Sequence, residues 1–215
     1  MLKLTVDPKT LYFESDWTMY AHTQSISQTY NAAVIKICTV HTIADFWGMY
    51  NNMPCASILH SGHICINQKK VVAYSFFKGE IAPEWEDPIN IKGCEWGCRE
   101  GMSSEVFKCM WDKFILMGIN EELPNVVGIR AVNKCNKVRT LFKIELWMNT
   151  CDNDSVNHIE SIIKLMFPKC EFTLMHHEVK QHQAQEYTRK GKSVNRYLKT
   201  DLKKMPEMTQ TFMNT

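Results

Sequence analysis

Between residues 76 and 96 the chain gathers residue types suited to holding a ligand. The run Phe76-Phe-Lys-Gly-Glu-Ile-Ala-Pro-Glu-Trp-Glu-Asp87 continues to Asn90, Gly93 and Trp96. Its centre, Pro83-x-Trp85-Glu86-Asp87, sets a large aromatic beside two carboxylates between segments of strand character, and so on a loop. Binding residues concentrate on loops carried by a rigid scaffold. An indole offers an electron-rich face, and a carboxylate accepts a pair of hydrogen bonds from one ligand edge. From the residues alone, the alternative is a packed loop tryptophan flanked by solvated acids.

Two other groups of reactive side chains carry less. Cys55, His60, His63 and Cys65 offer four zinc-type ligands within eleven residues. Their spacing fits no common finger, so free thiols and imidazoles are expected, with no metal. Cys170 with His176 or His177 could pair a nucleophile with a base. Nothing in the sequence fixes that geometry, and no Gly-rich phosphate loop or nucleophile elbow occurs. The expectation is a non-enzyme with no cofactor. Nine scattered cysteines without a CxxC pair read as free thiols in a reducing compartment.

Composition agrees with a globular protein of 215 residues, 45% hydrophobic and 22% charged. No apolar run approaches the roughly 20 residues that span a bilayer, and MLKLTVDPKT lacks the features of a secretory signal. A cytoplasmic protein, with the nucleus as a second location, is expected; no membrane association is. The net charge of +2 is unevenly spread: seven basic residues and one acid lie between Arg189 and Lys204. That stretch reads either as a basic tail suited to a polyanion or as a solvated C-terminus.

The positioning elements follow from periodicity. Thr42 can cap a helix to Asn52, with Asp45 in the capping-box position and Ile43, Phe46, Trp47 and Tyr50 on one face. A second helix is predicted from Ser104 to a C-cap at Gly118, with Val106, Phe107, Met110, Trp111 and Phe114 as its apolar positions. A third runs from about Asp154 to Met166, ahead of Pro168. Strand-like segments are 17–20, 33–38, 71–77, 126–132, 140–147 and 172–176. This order predicts an α+β fold, an antiparallel sheet covered by helices on one face and open to a site on the other. The expected organisation is a flexible arm over 1–16, a single domain over 17–200 and a flexible tail over 201–215.

The Trp85 segment resembles the cap-binding loop of the eukaryotic translation initiation factor 4E family, a Pro-x-Trp-Glu-(Asp/Glu) run followed by Asn, Gly and Trp. The stretch 42–51 resembles the family's first helix, and Trp17 and Tyr20 its opening strand. Gly128 and Trp147 are similar to its later sheet, and His158-Ile159 to its third helix. Five spaced matches in order over roughly residues 15–200 are far less accidental than one. The resemblance implies a curved antiparallel sheet of about eight strands backed by three helices, with the ligand slot on the concave face.

It also implies a function: binding the 7-methylguanosine cap at the 5′ end of mRNA and recruiting a scaffold protein in translation initiation. The methylated base carries delocalised positive charge and favours aromatic faces on both sides. The resemblance assigns Trp85 to one face and Tyr30, seventeen residues before Trp47, to the other. It gives Glu86 the guanine N1–H and amine, and places Trp147 near the N7 methyl. It maps phosphate contacts onto Lys134 and Lys143, with Lys137 or Arg139 as substitutes for Lys134 and Lys190 and Lys192 in the tail. It presents Ile43, Trp47, Met110 and Phe114 to a Tyr-x4-Leu-Φ helix of a scaffold or regulatory protein, whereas periodicity alone would make Trp47 core. A monomer is expected.

Two departures bear on affinity. Tyr30 stands where the family usually has tryptophan, and Glu95 precedes Trp96 where a basic residue is usual. A carboxylate roughly 6 Å from a phosphate charge costs about 0.7 kcal/mol in a water-like dielectric. Weaker binding is therefore expected. A divergent translational repressor, or an interaction module that has lost the ligand, are the alternatives.

Overall fold

A computed structural model of the chain describes residues 11–24, 34–54, 64–133 and 141–177. These fall within a first compact unit, Met1–His177; a second, Glu178–Thr215, lies outside the described residues. The elements are β1 (Tyr12–Thr23), β2 (Val34–Thr42), α1 (Ile43–Asn52), β3 (Cys65–Ile66), β4 (Lys69–Lys78), β5 (Cys94–Glu100), α2 (Ser104–Ile119), β6 (Val126–Asn133), β7 (Phe142–Met148), α3 (Asn153–Met166) and β8 (Phe172–His176). The strands form one open antiparallel sheet in the order β2-β1-β4-β6-β7-β5-β8, with β3 on β4. This is the α+β architecture the residue pattern predicts.

The helices form where the sequence signals them. Thr42 accepts from the Asp45 amide at 3.1 Å while the Asp45 carboxylate accepts from the Thr42 amide at 3.1 Å, a complete capping box. Asp152 caps α3 through the Ser155 amide. The second helix runs one residue past Gly118, whose buried position lets it pack closely, and ends at the Asn120 cap.

Alternation decides the two faces of the sheet. Trp17, Met19, Phe76, Ile129, Ala131, Ile144, Leu146 and Trp96 belong to the main core with the inward residues of the helices. Trp17 stacks on Phe76 at 5.0 Å, and Phe107 of α2 on Phe142 of β7 at 4.3 Å. The opposite face carries a different set. Across the ladders, Phe77 pairs with Gly128, Gly128 with Trp147, and Trp147 with Glu95. The neighbouring row runs from Tyr20 through Ser75 and Arg130 to Glu145 and Gly97.

Two strands were not anticipated. β5 hides its alternation: Cys94, Trp96 and Cys98 face the core while Glu95, Gly97 and Arg99 break the apolar run. β3 has two residues, too few to show a pattern. β1 begins at Tyr12, inside the stretch expected as an arm, where Tyr12 pairs with Thr42.

Candidate functional site

The loop between β4 and β5 is folded by its own polar side chains. Both Asp87 carboxylate oxygens accept backbone amides, from Ala82 at 3.0 Å and Ile89 at 2.9 Å. The Asn90 amide donates to the Ala82 and Glu84 carbonyls, each at 2.9 Å. The Asn90 carbonyl in turn accepts from His177 Nδ1–H at 2.8 Å. Asp87 is thus a structural carboxylate. Glu86 is exposed and takes no part in these bonds.

Trp85, half-buried, projects from this loop over a small aromatic cluster of Tyr20, Phe77 and Trp147. Its ring lies 6.5 Å from that of Trp147, with the planes 22° apart. Trp147 meets the Phe77 ring edge-on at 5.4 Å and the His177 ring at 4.7 Å. The resemblance assigns Trp85 and Trp147 to one site, and in the structure their rings are neighbours. His177 had been weighed only as a base for Cys170; it packs on Trp147 instead. Cys170 lies by Cys98 and Glu100, the three potential ligand atoms all within 4.8 Å of one another. Burial and the Glu100 charge push the Cys98 thiol up, opposite to what an activated nucleophile needs.

The loop that carries Trp85 is rich in acids, with Glu80 paired to Lys36 at 2.7 Å. Residues 79–91 contain Glu80, Glu84, Glu86 and Asp87 and no Lys or Arg. Burial, reinforced by the charges of Glu86 and Asp87, raises the Glu84 carboxyl above its ordinary value. A flat, electron-rich ring among acids suits a flat cation, because ring quadrupole and carboxylate charge act with the same sign.

Beneath Trp147 the charges are mutually satisfied. Lys143 Nζ lies 2.6 Å from Glu145 Oε1 and 2.9 Å from Glu95 Oε1. Glu145 Oε2 accepts from Trp147 Nε1–H at 2.9 Å and lies 3.4 Å from Arg130 Nη1. Glu95 and Glu145 are 1% and 3% exposed. Gly97 leaves room beside the pair: a Cβ there would stand 3.2 Å from Lys143 Cε and 3.6 Å from Glu95 Oε1, close enough to ask a small shift of the lysine. Burial alone would lower the Lys143 ammonium, but the carboxylates of Glu145 and Glu95 outweigh it and hold its pKa above the ordinary value.

The register sets Glu95, the acid that stands where the family usually has a basic residue, beside Trp147 and within reach of Lys143. Arg130 and Glu145 were missed. Arg130 is hidden in the apolar run of β6 and Glu145 in that of β7; polar residues interrupting two strands on one face were the available signal. Tyr30, Lys134, Lys137, Arg139, Lys190 and Lys192 lie outside the described residues, as do Cys55, His60 and His63.

On the helix side, Trp47 is 43% exposed and meets Phe46 and Tyr50 edge-on at 5.2 and 5.6 Å. Ile43 is half-buried. Met110 and Phe114 are not on that surface. Both are 0% exposed, because α2 turns the 107/110/111/114 stripe inward, Phe114 against Phe167 and Phe172. The exposed positions of α2 include Val106, Cys109 and Lys113.

Comparison with known proteins gives a consistent result. A family model described as eukaryotic initiation factor 4E matches residues 12–195. Eukaryotic translation initiation factor 4E-2 of Schizosaccharomyces pombe is 26% identical over 69% of this chain, and the match spans 58% of the relative's length. Human eukaryotic translation initiation factor 4E is 27% identical over 70% of this chain and 67% of its own. Among solved structures, that of Caenorhabditis elegans eIF4E-3 with the 4E-binding protein Mextli and a cap analog superposes with a TM-score of 0.66. It covers 80% of this chain and 95% of its own at 17% identity, a likeness of fold.

Proposed function

The chain belongs to the eukaryotic initiation factor 4E family, and from that membership we propose that it binds the 7-methylguanosine cap of mRNA in translation initiation. The observation that carries this reading is the near-parallel pair Trp85 and Trp147 beside an acidic loop. Trp85 supplies one stacking face and Tyr30 the other. Each face contributes roughly 1–3 kcal/mol, with the tyrosine at the lower end. Glu86 accepts the guanine N1–H and amine as a charge-assisted pair and so disfavours adenine, which presents an acceptor at that edge. Trp147 lies against the N7 methyl. Phosphate charge is met by Lys134, Lys190 and Lys192, whereas Lys143 is already engaged by Glu95 and Glu145. The protein acts by binding, without a catalytic step, as a cytoplasmic monomer.

The exposed Trp47 supports a second surface on which a Tyr-x4-Leu-Φ helix of a scaffold or regulatory protein packs, with Trp47 as its central anchor and Ile43 beside it. One observation favours a divergent regulator of weakened affinity over a typical initiation factor: the carboxylates of Glu95 and Glu145 already engage Lys143.

Titration of tryptophan fluorescence with 7-methyl-GTP and with GTP tests the reading. Quenching that depends on the methyl group supports it, strong for an initiation factor and weak for a regulator. Equal responses to the two nucleotides would overturn it.

A further inference from the structure

The mutual pairing beneath Trp147 bears on what the slot selects. Two cations, Lys143 and Arg130, face two carboxylates, Glu95 and Glu145, within one continuous set of contacts. Their formal sum is zero. All four side chains stand on the same face of the sheet as Trp147, on three adjacent strands. A phosphate approaching Lys143 therefore meets two carboxylates within 2.9 Å of the same ammonium. The ammonium must either divide its three donors or release a buried carboxylate, and releasing a buried carboxylate is costly. The loop around Trp85 is acidic as well. It attracts the cationic base and repels phosphate.

We propose, on the reading that the slot holds 7-methylguanine, that Glu95 and Glu145 are specificity-determining residues: they neutralise Lys143 and Arg130, so that the sheet face beneath Trp147 draws no net energy from the ligand's phosphates and selection rests on the methylated base. Glu145 has a second part, since its Oε2 holds the Trp147 indole N–H and so fixes the ring that the methyl group meets. Glu95 engages the Lys143 ammonium through Oε1 and acts through that charge. The two carboxylates thus separate ring placement from charge neutralisation.

The test compares 7-methylguanosine, which lacks phosphate, with 7-methyl-GTP by calorimetric titration of the full chain. It is done for the unaltered protein, Glu95→Gln and Glu145→Gln. The readout is the ratio of the two affinities within each protein, so that any effect on folding or on the base slot cancels. Removing one carboxylate charge leaves the cluster at +1, and the ratio should rise by roughly 3- to 30-fold in favour of 7-methyl-GTP in either variant. That gain should shrink in 1 M salt, where the screening length falls to about 3 Å. An unchanged ratio in both variants overturns the inference, as does a gain undiminished by salt, which would mark a steric effect. If neither 7-methylguanosine nor 7-methyl-GTP binds, the reading of the slot fails and the inference with it; if only 7-methyl-GTP binds the unaltered protein, the inference alone is overturned. Binding with an unchanged ratio sinks the inference alone.

Discussion

Gly128 of β6 lies directly across the ladder from Phe77 of β4, and the Phe77 ring fills the space a side chain at 128 would need: a Cβ there would stand 2.2 Å from ring carbon Cε1. The same ring meets Trp147 edge-on. Gly128→Ala must push Phe77 and, through it, Trp147. Overpacking of this kind costs about 1–3 kcal/mol. Urea denaturation should show that loss, and the tryptophan emission of the folded variant should shift. An unchanged midpoint would mean that the Phe77 ring has room to move aside.

Trp85→Ala should abolish retention on 7-methyl-GTP resin. Loss of one stacking face, roughly 1–3 kcal/mol, corresponds to a complex about 5- to 150-fold weaker. The substitution lies on a loop whose folding depends on Asp87 and Asn90, so thermal stability should change little. Retention at the level of the unaltered protein would show that the base stacks elsewhere.

Trp47 and Met110 make a discriminating pair. Met110 is fully buried, and Met110→Ala should cost about 2–5 kcal/mol in denaturant titration. Trp47→Ala should cost much less and remove binding of a fluorescent Tyr-x4-Leu-Φ peptide, leaving 7-methyl-GTP affinity intact. Peptide binding that survives Trp47→Ala would place the docking surface elsewhere.

His22, on β1 and 3% exposed, is hydrogen-bonded to Ser75. Burial, with Arg130 adding to it, lowers its pKa from 6.5 to about 3. The folded state therefore binds fewer protons than the unfolded state between those values. Its contribution is complete above pH 6.5 and is lost as pH falls toward 3, with a slope of at most about 1.4 kcal/mol per pH unit. Stability measured against pH should show this slope in the unaltered protein and lack it in His22→Gln. Parallel curves for the two proteins would assign the acid sensitivity to other groups.

Local patterns made much of this architecture legible. Thr42 with Asp45, and Asp152 or Asn153 ahead of an amphipathic run, mark two helix starts because capping depends only on near neighbours, and Asp152 is the cap in the structure. The strand over 172–176 was legible from its apolar run. What escaped depends on distant partners. Glu95 and Lys143 are 48 residues apart, and only the β5–β7 register makes them a pair. Met110 and Phe114 were assigned to a docking surface by resemblance, although their spacing with Phe107 and Trp111 forms the stripe that α2 buries. The aromatic and acidic character of the Trp85 loop is visible in the sequence, but the use of Asp87 to fold that loop is not, since carboxylate type does not reveal which backbone amides lie near it.

The linkage of Lys143 to two acids also constrains how this face can diverge during evolution. Glu95 can be replaced first, because the ammonium keeps Glu145 as an anionic neighbour throughout. Replacing the lysine first leaves two enclosed like charges with one counter-ion fewer, a step that breaking a buried pair makes disruptive by about 3–5 kcal/mol. Lineages that reshape this patch should therefore show acid loss preceding lysine loss, an asymmetry imposed on their history by two contacts.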